Sequence, residues 1–106
     1  MSDKEIIVKG IVGLASAKYP NSERYLFGSQ FDGTAKDLSD WDILLLLDSD
    51  TVSLEKVLTI MDDFYDLELL KGAVISPIIY SKSVWKKTRT FTPLFKRISK
   101  GAIRIK

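Results

Sequence analysis

The run Ile43-Leu44-Leu45-Leu46-Leu47, entered through Ser39-Asp40-Trp41-Asp42, constrains this chain more than any other segment. Five consecutive apolar residues leave no polar side for solvent, so as a strand the segment is covered on both faces, like the interior of a sheet. The same extended geometry puts Asp40 and Asp42 on one face and turns Trp41 to the other. Two carboxylates on a common face suit Mg²⁺, a hard cation that keeps several waters and bridges to phosphate oxygens. Upstream, Tyr25-Leu26-Phe27 is a second strand-like run that closes on Gly28-Ser29. A Gly-Ser turn lets backbone N–H groups approach an anion closely. Alone, either motif marks ordinary turns and strand ends. The conjunction of a strand ending in Gly-Ser, ten residues of connection and Asp-x-Asp opening an apolar strand points to a nucleotide and metal site.

Composition narrows the chemistry further. The chain has neither Cys nor His, which excludes disulfides and thiolate metal sites and removes the commonest general base. Acid–base or metal chemistry must rest on carboxylates, Lys or Tyr, favouring hard-metal catalysis over zinc or triad hydrolysis. At 106 residues one domain over 1–106 is expected, with room for a single core. The opening Met-Ser-Asp-Lys-Glu lacks a basic n-region and no apolar run approaches a membrane span, so the expected location is cytoplasmic, without membrane. Charge is unevenly distributed. Residues 1–68 hold 14 acids and 6 bases, whereas 69–106 hold no acid and 10 bases. The basic third either attracts phosphates, nucleic acid or an acidic partner, or balances the acidic part as a solvated face. No Arg-rich or aromatic-interleaved motif favours nucleic acid.

Along the chain, Ser2-Asp3-Lys4-Glu5 reads as a capping box opening a helix with an apolar stripe of Ile7, Ile11, Leu14 and Ala15, joined by Ile6 and Val12 and ended by Tyr19-Pro20-Asn21. Strands are predicted at Arg24–Phe27 and Trp41–Leu47, separated by a turn with Gly33. Ser53 caps a second helix whose core face is predicted to hold Val57, Leu58, Met61, Phe64, Tyr65 and Leu67 or Leu69, with Gly72 as its stop. Ala73–Tyr80 is a third strand, bulged or paired on one side because Pro77 lacks a ladder donor. Ser81 caps a helix containing Trp85. Thr92-Pro93 opens another, and Ala102–Ile105 forms an edge strand. Trp41, Trp85, Phe91 and Phe95 are expected to pack in the core. The order αββαβαα(β) is α+β, with helices covering one face of a small mixed sheet.

Gly28-Ser29, ten residues, then Asp40-Trp41-Asp42 resembles the signature of the DNA polymerase β-type nucleotidyltransferase superfamily, and within it the minimal nucleotidyltransferases. The segment from Trp85 through Thr92-Pro93-Leu94-Phe95 to Lys100-Gly101 resembles a Bacteroidetes-like subgroup. The resemblance implies a palm-like nucleotidyltransferase fold, with ATP as donor and Mg²⁺ held by Asp40 and Asp42 as the catalytic pair. It implies phosphates near Gly28, Ser29, Ser39 and Lys36. It also implies a HEPN-type helical partner, some members being antitoxins that transfer AMP to a partner tyrosine. Two departures stand out. An Arg that often follows the Gly-Ser is replaced here by Asp32, ahead of Gly33. The third carboxylate expected on the next long strand is absent, with Ser76 at its position. Nucleotidyl transfer to a partner protein is therefore the leading expectation. A catalytically degenerate fold that only binds and neutralises a partner is the alternative, and transfer to an aminoglycoside-like small molecule a further one.

Overall fold

A computed structural model describes residues 3–28 and 40–105. Helix α1 (Asp3–Lys18) leads into β1 (Glu23–Phe27), which lies antiparallel to β2 (Trp41–Leu47) with Phe27 opposite Asp42. Helix α2 (Leu54–Lys71) then carries the chain to β3 (Ile75–Ser81), parallel to β2. Its ends follow from local chemistry. Ser53 Oγ accepts from the Lys56 N–H at 3.1 Å, and Gly72, at φ 67°, closes the last turn by donating to the Glu68 carbonyl at 2.8 Å. Ser81 caps α3 (Lys82–Thr88), a 3₁₀ turn covers Arg89–Phe91, and Thr92 with Pro93 starts α4 (Pro93–Ser99). Strand β4 (Ala102–Arg104) pairs antiparallel with β1, giving the sheet order β3-β2-β1-β4.

This is an α+β fold on a four-stranded mixed sheet, with β2 inside it. Alternation along β2 builds two cores. Trp41, Ile43, Leu45 and Leu47 meet Ile11 of α1 and Ile60, Phe64 and Leu67 of α2. Leu44 and Leu46 meet Phe27 and Trp85, with Leu94 and Ile98 of α4 packed against them. Helices thus cover both faces, not the one expected. The leucine run had required as much, since each fully buried leucine contributes about 1.5–3 kcal/mol that an uncovered face would forfeit.

Two expectations are corrected in detail. On α2 the buried residues are Ile60, Phe64 and Leu67, while Leu58, Met61, Tyr65 and Leu69 are exposed. The helix carries two apolar stripes, and periodicity alone does not say which one meets the sheet. Phe91 lies in the 3₁₀ turn, 86% exposed, because so short a turn buries no continuous face; Phe95 is half-buried. The Ser2 capping box and the turn at Gly33 lie outside the described residues.

Pro77 leaves β3 unbulged and in continuous register. The Val74 carbonyl accepts from the Trp41 N–H at 2.8 Å, so alternation turns the nitrogen of Pro77 away from β2, where its missing hydrogen costs no ladder bond. The uneven charge also closes on itself. Lys82 and Arg104 approach Glu23 at 3.6 and 3.9 Å, and Arg97 meets Asp42 at 2.9 Å, so the basic third pairs with acids of the first half. Among the described residues no helix is long and apolar enough to cross a membrane.

Candidate functional site

The entrance to β2 lies against the exit of β1. Because Phe27 is opposite Asp42, the next residue, Gly28, falls beside the Asp42 carboxylate. Gly28 takes φ 75°, a left-handed conformation that favours glycine. Space imposes the same choice: a Cβ here would strike Asp42 Oδ2 and lie 3.4 Å from Arg97 Nη2. The glycine that ends β1 therefore gives the carboxylate room.

Asp40 and Asp42 project toward the face that carries Leu44, Leu46 and α4. Ser76 stands opposite Asp42 in the β2–β3 register, and its hydroxyl donates to Asp40 Oδ2 at 3.1 Å. Gly28, Asp40, Asp42 and Ser76 are thus brought together. Ser29, Lys36, Ser39 and Asp32 lie outside the described residues. Asp42 has a mostly buried side chain, 16% exposed, and Arg97 Nη2 donates to its Oδ2 at 2.9 Å. Burial pushes the Asp42 carboxyl above its ordinary value and the charge of Asp40 adds to the rise, against the opposing pull of Arg97.

Arg97 is the site residue the sequence reading missed. It comes from α4, its guanidinium 5.0 Å from the centre of the Phe27 ring, where a cation–π contact holds it over the end of β1. A weak signal existed: Leu94 and Ile98 form the inward stripe of α4, and Arg97 immediately precedes the second. Position 32 is an acid where the resemblance implies an Arg, whereas Arg97 supplies a positive charge beside Gly28 from elsewhere in the chain.

Chemically, two carboxylates, a hydroxyl and a guanidinium at a strand entrance suit a phosphorylated ligand with a hard cation. Among the described residues no cluster of three or more His, Cys, Asp or Glu could hold a metal, and of these residues Asp40 and Asp42 are the carboxylates at the entrance to β2. A separate concavity of about 530 Å³ opens at the other end of β2, lined by residues including Tyr19, Asp48, Ser53 and Lys56. It lacks two carboxylates paired on one strand face, and the entrance to β2 is the better chemical site.

A family model described as Polymerase beta, Nucleotidyltransferase matches residues 18–87, the stretch that contains Gly28, Asp40, Asp42 and Ser76. The chain belongs to the polymerase beta nucleotidyltransferase family. Arg97 lies beyond the matched segment of this nucleotidyltransferase domain. Among solved structures the chain is similar to one from a toxin–antitoxin crystal structure with AMP-PNP, at a TM-score of 0.67 and 19% identity. The similarity covers 93% of this chain and 72% of that one; at such identity it establishes the shared fold. No curated protein matches the sequence.

Proposed function

We propose that this nucleotidyltransferase transfers AMP from ATP to a hydroxyl of a partner protein. The observation that carries this reading is the convergence of Asp40 and Asp42 beside Gly28, with Ser76 and Arg97 in contact with the two carboxylates. The oxygen donors fit Mg²⁺, which would be held by Asp40 and Asp42 with water and phosphate oxygens completing its shell. Bound there, Mg²⁺ would supply charge neutralisation to the triphosphate and to the reacting phosphoryl group. Ser76 orients Asp40 through its hydrogen bond. Arg97, whose side chain is 52% exposed, can exchange Asp42 for a phosphate, a pairing that its planar fork suits. Gly28 leaves room for phosphate and carboxylate together. In-line attack by the acceptor hydroxyl would form the new P–O bond at the α-phosphorus and expel pyrophosphate, with the hydroxyl proton released to solvent.

A partner protein as acceptor is supported by the small size of the domain and by the toxin–antitoxin structure of similar fold. The resemblance of the sequence supports a tyrosine of a HEPN-type protein as the specific acceptor. Ser76 in place of a third carboxylate favours a second reading, in which the chain binds and neutralises its partner without chemistry. Incubating a candidate partner with Mg²⁺ and α-labelled ATP separates them. Label on the partner that disappears with Asp40→Ala and Asp42→Ala supports transfer. Inhibition of the partner that persists without nucleotide and in the double variant supports neutralisation alone.

A further inference from the structure

We infer that the outward face of α2 is a docking surface for a helix of a partner protein, apolar along one stripe and bearing Lys or Arg along its flank. That a partner exists rests on the function proposed above; that it meets α2 rests on the surface itself. Leu54, Leu58, Met61, Tyr65 and Leu69 follow one another at spacings of four, three, four and four residues, which places them on one face of the helix. They are 45–73% exposed, and no element among the described residues covers them. At 1.5 Å per residue the stripe runs about 22 Å. Single exposed leucines are ordinary, but a continuous row of five exposed apolar residues flanking the core-facing stripe is the pattern of an interface.

The stripe also overhangs a cavity of about 300 Å³ whose walls include Met61, Tyr65, Ile75 and Pro77, large enough to accept an apolar side chain. Beside it runs β3, an outer strand of the sheet. Strand addition there is blunted: Glu68 Oε1 already accepts from the Ile75 N–H at 2.6 Å, and Pro77 has no N–H to offer. The surface therefore favours a ligand that docks by side chains, and a helix laid in a groove does so.

Charge selects among occupants. Glu55, Asp62 and Asp66 form an acidic row along one side of the stripe, which complements a basic flank. A second copy in antiparallel two-fold pairing would set this row against its own image, acid facing acid.

The test uses the full chain and two fluorescent 18-residue helical peptides that share a leucine stripe and differ only in a flank of Lys or Glu. The Lys peptide is expected to bind at least about tenfold more tightly than the Glu peptide, with a preference that shrinks as salt rises. Leu58→Glu combined with Tyr65→Glu is expected to abolish binding while leaving the thermal melt unchanged, since both side chains are exposed. Failure of both peptides to bind, equal binding of the two, or sedimentation of the protein as a dimer that Leu58→Glu dissociates would each overturn the assignment. Peptide binding requires neither ATP nor the pair Asp40 and Asp42, so docking and nucleotidyl transfer can fail separately.

Discussion

Gly28→Ala tests whether the crowding at the entrance to β2 is real, and Gly72→Ala provides its control. Both glycines have left-handed backbones, at φ 75° and 67°, so an alanine at either site bears a backbone cost of about 1–2 kcal/mol. At Gly72 nothing lies within 4 Å of the added Cβ, and the backbone cost is the whole effect. At Gly28 the Cβ strikes Asp42 Oδ2, and the carboxylate must rotate away. Rotation gives up the half-exposed pair with Arg97, worth about 0.2–1 kcal/mol, and forces a strained rotamer costing about 0.5–1.5 kcal/mol. Gly28→Ala should therefore cost about 1–2 kcal/mol more than Gly72→Ala, a further drop of roughly 4–16 °C in Tm for a chain of this size. Thermal and urea unfolding followed by circular dichroism would measure both. In an Asp42→Ala background the excess should vanish, because the atom that is struck has gone. Equal losses at the two glycines, or an excess that survives Asp42→Ala, would refute the reasoning.

Other consequences can be measured directly. Arg97→Ala should weaken ATP binding by about tenfold or more in a calorimetric titration, and Arg97→Lys should recover only part of it, since lysine brings the charge without the fork; unchanged affinity in Arg97→Ala would remove Arg97 from the site. Because the folded state raises the Asp42 carboxyl above its ordinary value of 3.8, the folded protein holds that proton more tightly than the unfolded chain, and ionisation costs stability as pH rises. Asp42→Asn should therefore melt at a higher temperature than the wild type at pH 7, the gap closing as pH falls below 3.8; a lower melting temperature at pH 7 would contradict the direction of the shift. Ser76→Asp places a third carboxylate opposite Asp42 and should tighten Mg²⁺-dependent ATP binding while lowering stability without metal through like-charge repulsion. Titrations and melts with and without Mg²⁺ read both effects, and an unaltered metal dependence would count against a metal site at Asp40 and Asp42.

The elements set by local chemistry were legible in the sequence. Ser53, Gly72, Ser81 and Thr92-Pro93 bound their helices where the capping rules place them, and Trp41–Leu47 forms the predicted strand to the residue. That Gly28, Asp40, Asp42 and Ser76 belong to one site was implied by the family resemblance, and the sheet register then sets Gly28 beside Asp42 and Ser76 beside Asp40. Two things were not legible. Arg97 meets Asp42 across 55 residues, and no local pattern encodes which cation closes on which carboxylate. The orientation of α2 was equally hidden, since both of its stripes satisfy helical periodicity and only packing on β2 and β3 decides that Ile60, Phe64 and Leu67 turn inward.

The pairing of β1 with β4 carries a consequence for biosynthesis. Phe27 lies opposite Ala102, so β1 leaves the ribosome long before its outer neighbour exists, and meanwhile one of its hydrogen-bonding edges stands open. Helix α4, which bears Arg97, immediately precedes β4, and its Leu94 and Ile98 pack against the same core cluster as Ala102 of β4. A nascent chain stalled before that point would hold Gly28, Asp40 and Asp42 without the guanidinium that meets Asp42. Completion of the site is thereby tied to completion of the sheet, and translation order makes the cation its last component to arrive.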